Sequence, residues 1–208
     1  MQSLNDIRRT LPSDVKLVCV SKYQTVDAIQ EAYDAGVKDF AESRVQELLK
    51  KREQLPRDIR WHFIGHLQTN KVRQIIPFIH LIQSVDSVHL LECINREAEK
   101  AERTIDVLLE VHVAQEDTKT GFSEADFEML QTLVQTPLTN VRIVGVMAMA
   151  SHTEEESRIR ADFSKAATLY NQLFPNGGTL SMGMSDDYPI AIAAGANMVR
   201  IGSKIFMS

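Results

Sequence analysis

Eight short apolar runs, each followed by a helix-like stretch, divide the 208-residue chain and constrain its fold more than any other feature. The runs lie at 16–20, 37–40, 60–63, 80–84, 106–113, 141–147, 179–182 and 198–201. Most lack polar–apolar alternation, which is the pattern of strands buried on both faces of a parallel sheet. Between them, helical patterns run over 26–35 (stopped by Gly36), 44–54 (ending before Pro56) and 87 to about 103, with another opening near Thr69. The later ones cover 123–135 with Ser123 as N-cap, 154–173 and 189–194, and a first helix over 3–10 precedes them all. Eight strands separated by helices predict an α/β fold, a single (β/α)8 TIM barrel with an extra N-terminal helix. The competitor is an open doubly wound sheet. It usually has fewer strands and a Gly-rich first turn, and Ser21-Lys22-Tyr23 contains no glycine. No linker, low-complexity tract or repeat interrupts the pattern, so residues 1–208 read as one domain.

Composition narrows the function. A net charge of −5 argues against a nucleic-acid surface, which needs a basic face. No apolar run reaches the length of a membrane span. The N-terminus lacks the basic-then-apolar pattern of a signal peptide. Cys19 and Cys93 have no metal-ligand spacing and read as buried free thiols of a reducing compartment. These features predict a cytoplasmic protein.

In a barrel of this kind the carboxyl ends of the strands share one mouth. Lys22 stands there, just past Leu17-Val18-Cys19-Val20. Partial desolvation at such a place lowers an amine's pKa and makes it a nucleophile toward carbonyls, whereas a lysine that merely ends a strand stays in solvent. The same mouth would collect Glu42 and Ser43, residues 62–65, Ser84, Asp86, His112, Met147 and the two last turns. Those turns are Ser181-Met182-Gly183-Met184-Ser185 and Arg200-Ile201-Gly202-Ser203. Loops after strands seven and eight commonly hold phosphate through backbone N–H groups and hydroxyls, and glycine lets the backbone come close. Two ordinary glycine turns are the alternative, and Arg200 could equally pair with a core carboxylate. Asp186 and Asp187 read as caps of the helix that follows. His62 and His66 lie four apart, but that stretch crosses from strand to loop and has no nearby carboxylate, so no metal site is expected. There is no nucleophile elbow and no Walker loop.

Five phrases, in this order and spacing, carry a resemblance. They are Val-Ser-Lys at 20–22, Trp-His-Phe-Ile-Gly-His-Leu-Gln-Thr-Asn-Lys at 61–71, Ser-Val-Asp-Ser at 84–87, Ser-Met-Gly-Met-Ser-Asp-Asp at 181–187 and Val-Arg-Ile-Gly-Ser at 199–203. Along nearly its whole length the chain resembles the YggS/PROSC family of pyridoxal phosphate homeostasis proteins. That family looks like the barrel domain of alanine racemase without its second, β-rich domain. The resemblance implies that the chain binds pyridoxal 5′-phosphate as a Schiff base on Lys22. It implies that Ser181, with the neighbouring Met182, and the backbone around Gly202 and Ser203 hold the phosphate. Arg200 would lie beside the pyridine nitrogen or the phosphate. It further implies a role in cofactor supply without catalytic turnover, with pyridoxal-dependent apo-enzymes as recipients, and a monomer is expected.

Some positions depart from the family pattern. Ala41 and Ser43 replace a glycine and an asparagine, His112 an asparagine, Gln24 a second lysine and Met207 a final glycine, whereas Lys119 and Gly121 match. Two rivals remain at this stage. One is a pyridoxal-dependent racemase or decarboxylase of the same barrel type. Such enzymes usually take a catalytic residue from a second domain, for which a chain stopping at Ser208 is expected to have no room. The other is a barrel enzyme for phosphorylated sugars in which Lys22 is a simple charge.

Overall fold

A strand buried on both faces needs parallel neighbours on either side, and eight such strands satisfy this by closing. In a computed structural model, which describes residues 2–114, 121–136 and 138–206, they form a closed parallel barrel in chain order. The elements are α1 (Gln2–Thr10), β1 (Lys16–Val20), α2 (Val26–Asp34), β2 (Asp39–Glu42), α3 (Val45–Gln54), β3 (Arg60–Phe63), α4 (Thr69–Ile75) and β4 (Leu81–Val85). They continue with α5 (Val88–Lys100), β5 (Ile105–Val111), α6 (Phe127–Gln135), β6 (Val141–Ala148), α7 (Glu156–Leu173), β7 (Thr179–Ser181), α8 (Tyr188–Ala193), β8 (Met198–Ile201) and α9 (Ser203–Phe206). The barrel closes where β1 pairs with β8, with Val18 opposite Arg200.

The two-residue period of the strands sorts the apolar side chains into two cores. Cys19, Phe40, Trp61, Phe63, Ile82, Leu109 and Val199 point outward and pack with helix residues such as Ile29, Leu48, Ile94 and Phe163. A smaller cluster of Val18, Val20, Ala41, Leu81, Leu108, Met147 and Met198 forms separately on the opposite strand face, the barrel interior. The remaining interior volume is polar: His62, Gln83, Ser181 and Arg200 are all buried.

The strands match the sequence reading except at some ends. The second begins at Asp39 rather than Val37, because its ladder starts where Asp39 meets Arg60 of β3. The fifth stops at Val111, two residues short. Residues 123–135 divide into a 3₁₀ turn, Glu124–Asp126, and α6, with Ser123 closing a capping box with Asp126. Helix α9 was not anticipated, since Gly202-Ser203 reads as a turn. Between β5 and β6 the register shifts, and Gly145 sits at the irregularity. A Cβ there would lie 1.9 Å from the Thr179 carbonyl oxygen, so only glycine permits β6 and β7 to approach.

Both cysteines are free and buried, as the sequence suggests, and burial pushes the Cys19 thiol up to about 12. Among the described residues no helix is long and apolar enough to cross a membrane.

Candidate functional site

Lys22 follows Val18 and Val20 in the inward-facing phase of β1, which brings it to the carboxyl-end rim. The chain turns sharply just after it: Tyr23 takes φ 66° and Gln24 N–H donates to Ser21 O at 3.0 Å. The residue before it is clamped. Ser21 Oγ donates to Glu42 Oε1 at 2.6 Å, and Lys51 Nζ donates to both Ser21 O (2.8 Å) and Glu42 Oε1 (2.7 Å). Lys51 and Glu42 are 5% and 1% exposed, so this is a buried ion pair under the Lys22 turn. The Lys22 side chain itself is exposed, beside a cleft of about 270 Å³ that Tyr23, Ser43 and Arg44 also line. The desolvation expected from sequence is therefore not built into the fold.

Arg200 projects into the same barrel from β8. It is 3% exposed, donating through Nη1 to Ser181 Oγ (2.7 Å) and through Nη2 to Ala148 O (3.0 Å) at the carboxyl end of β6. Both acceptors are neutral, and among the described residues no carboxylate pairs with it. Burial pushes its pKa down, to about 10, with Asp187 and Glu110 holding it up at a distance, so it remains a cation at neutral pH. Among the described residues its hydrogen bonds go to neutral oxygens, and carboxylates compensate its charge only from a distance.

The residues proposed for the last two turns separate. Ser181 Oγ faces Gln83 and Arg200 inside the barrel. Met182 packs outward in the main core, and its N–H is taken by Met198 O at 3.1 Å. Ser185, not singled out from sequence, comes up to α9 instead: its Oγ lies 3.4 Å from Gly202 N and 3.5 Å from Lys204 N, with exposed Ser203 between them. Gly202 is required by the fold itself, since a Cβ there would meet Val20 O at 2.8 Å. Asp187 precedes α8 without capping it by its side chain; its Oδ1 accepts from Met184 N at 2.6 Å and holds the turn that carries Ser185. Lys119 and Met207 lie outside the described residues.

His62 and His66 diverge. His66 is exposed and bonded to Asp86 (2.9 Å), while His62 is fully buried at the other pole, 3.0 Å from Asp39 Oδ1. His80 brings a third donor, and the ligand atoms of Asp39, His62 and His80 lie within 4.8 Å of one another. Arg60 already binds the same carboxylate through Nε and Nη2, which places a cation where a metal would sit. The donor set does not favour one.

Burial alone would raise the Asp39 carboxyl, but hydrogen bonds from His62 and Arg60 outweigh it and hold the group well below the usual carboxylate range. Burial lowers His62, only partly offset by its bond to Asp39. Both shifts have the same sign for stability: the unfolded chain binds protons that the native one refuses, so acid destabilises. We expect stability to begin falling as pH drops through about 6.5, where an unfolded histidine protonates, and to fall further below about 4. Urea midpoints between pH 8 and pH 4 test this, and a flat profile from pH 7 to 5 would show that His62 is not held neutral.

The match to known proteins covers the whole site. The family model for the alanine racemase N-terminal domain matches residues 2–208. Pyridoxal phosphate homeostasis proteins of Synechocystis sp. and Aquifex aeolicus are 38% and 40% identical, over 97% and 92% of this chain and 95% and 86% of theirs. PipY of Synechococcus elongatus PCC7942, solved with PLP bound, superposes with a TM-score of 0.90 at 36% identity, covering 99% of this chain and 98% of that one. Alanine racemase of Clostridium difficile 630 shares the fold, with a TM-score of 0.79 at 17% identity over 98% of this chain and 55% of the racemase. The barrel, the rim lysine and these identities together place the chain in the pyridoxal phosphate homeostasis protein family, built on the alanine racemase N-terminal barrel.

Proposed function

We propose that this chain binds pyridoxal 5′-phosphate at the barrel mouth and serves its storage and release rather than amino-acid turnover. One juxtaposition carries the reading: an exposed lysine and a buried guanidinium, with no carboxylate hydrogen-bonded to it among the described residues, belong to one mouth, beside a turn of N–H groups and hydroxyls. PipY, similar over nearly its full length and solved with PLP bound, supports it. When bound, the cofactor supplies an aldehyde open to capture by an amine and a dianionic phosphate.

The residues divide the work. Lys22 offers an amine that solvent and an incoming aldehyde can both reach, which suits loading and release. Ser185, Ser203 and the N–H groups of Gly202 and Lys204 form the phosphate end. We assign Ser181, which the resemblance places at the phosphate, a role through Arg200, to which it is hydrogen-bonded. Arg200 donates hydrogen bonds but keeps its proton. A cofactor ring nitrogen placed beside it would stay unprotonated, a poor arrangement for withdrawing electrons from a substrate carbon. We infer, on the same footing, a monomeric protein of the cytoplasm that hands cofactor to apo-enzymes.

Titration with pyridoxal phosphate and with pyridoxal tests the reading. The phosphorylated form should bind far more tightly. Ser185→Ala should weaken only that form, by about 0.5–1.5 kcal/mol for one lost hydrogen bond. Equal affinity for the two compounds would overturn the assignment of the phosphate end. Incubating the loaded protein with each L- and D-amino acid should give no conversion beyond stoichiometry; sustained conversion would make the protein an enzyme.

A further inference from the structure

A file of buried polar groups crosses the barrel interior from the pole of Asp39 to the mouth. Arg200 Nη1 meets Ser181 Oγ at 2.7 Å, Ser181 Oγ meets Gln83 Oε1 at 2.7 Å, Gln83 Nε2 meets His62 Nδ1 at 2.9 Å and His62 Nε2 meets Asp39 Oδ1 at 3.0 Å. Ser181, Gln83 and His62 are 0% exposed. Chemistry fixes the direction of every bond. Arginine can only donate, so Ser181 Oγ accepts from it. A serine oxygen could accept from two donors, so the amide is set from the other end: Asp39 can only accept, neutral His62 gives it the Nε2 hydrogen, and Gln83 turns its amide hydrogens to His62 Nδ1 and its carbonyl oxygen to Ser181, with Met198 sulfur 3.4 Å away as a weak second acceptor. His62 Nδ1 then accepts, and neutral His62 carries its hydrogen on Nε2, where it donates to a carboxylate that Arg60 keeps ionised. The acceptor-only end at Asp39 demands this polarity, and the donor-only end at Arg200 accommodates it.

We propose that Gln83 is a positioning residue: with its amide oriented from the far pole by His62 and Asp39, it turns Ser181 so that Arg200 is aimed at the cofactor. That Arg200 faces a cofactor rests on the pyridoxal phosphate reading above. The orientation of the file does not. Reversing the Gln83 or His62 link would set two acceptors against each other among side chains that are 0% exposed, which in a buried network costs more than one bond is worth. The guanidinium is thus held by a chain of fixed polarity anchored at the opposite end of the barrel, not by a carboxylate at its side.

The experiment has two arms. In the first, 15N–1H long-range correlation NMR on the protein without cofactor should show His62 as the Nε2–H tautomer, and slowly exchanging Arg200 guanidinium protons that exchange faster in Gln83→Leu and Ser181→Ala. His62 found as the Nδ1–H tautomer, or Arg200 protons unchanged in both variants, would overturn the proposal. In the second arm, loaded Gln83→Leu and Ser181→Ala should still give a borohydride-fixed adduct on Lys22. Their absorption band should be displaced and release should be about tenfold faster, the expectation for one lost charge-assisted hydrogen bond. Ser181→Thr, which keeps the hydroxyl, should restore both. Wild-type band and release rate in folded Gln83→Leu and Ser181→Ala would overturn the proposal. If Gln83→Leu does not fold, Ser181→Ala and the wild-type tautomer decide. A wild-type protein that captures no pyridoxal phosphate would refute the cofactor reading alone and leave the first arm to judge the file.

Discussion

Lys22→Ala should leave no borohydride-fixed pyridoxyl adduct anywhere on the protein, and the near-visible absorption of the loaded protein should vanish with it. Three other described lysines are spoken for or misplaced. Lys51 is buried and bonded to Glu42 and Ser21, Lys38 pairs with Asp58, and Lys16 opens β1 at the far pole. Some non-covalent binding should survive, because the turn at Ser185 and Gly202 and the Arg200 guanidinium are untouched. The variant should fold normally. Lys22 is exposed, and surface substitutions away from special features change stability by within about 0.5 kcal/mol. Mass spectrometry after reduction is the measurement, and a full-strength adduct on Lys71 or Lys119 in the variant would end the assignment.

Lys51→Ala should destabilise the barrel by about 3–5 kcal/mol, the cost of stranding one partner of a buried ion pair. The loss exceeds an ordinary surface change because Glu42, 1% exposed, would keep a carboxylate whose one remaining side-chain partner among the described residues is the Ser21 hydroxyl. Ser21 O would also lose its donor directly before Lys22. The double variant Lys51→Met, Glu42→Gln should recover much of the loss, since replacing both charges removes the stranded one. Urea unfolding of the single and double variants measures this. A single-variant loss below about 1 kcal/mol would show that the pair is solvated in solution, as surface pairs are.

Lys51 illustrates what sequence could not say. In the charged helix 44–54 it reads as one more solvated cation, with Lys50 and Arg52 beside it. Only the docking of α3 on the barrel turns it toward β2 and buries it. Gln83 was hidden differently, inside a run whose neighbours Leu81 and Ile82 made it look like an apolar strand with one stray amide. Ser185 was eclipsed by Ser181, because a serine at a strand end is the obvious rim residue, whereas Ser185 reaches α9 only after the turn at Gly183 folds back.

The sequence by itself determined the barrel, its strand order and the place of Lys22 and Arg200, because hydrophobic periodicity and helix stop signals are local and parallel strands have few ways to close. The family phrases likewise needed no coordinates. Tertiary structure alone decided that Lys22 stays in solvent, that Ser181 serves Arg200 and Ser185 the outer turn, and that Arg200, His62 and Asp39 are joined through the interior. The physical reason is distance along the chain. Burial, ion pairing and hydrogen-bond direction arise between strands tens of residues apart, such as Ser181 and Gln83, and no local pattern encodes which way a hydroxyl or an amide must turn.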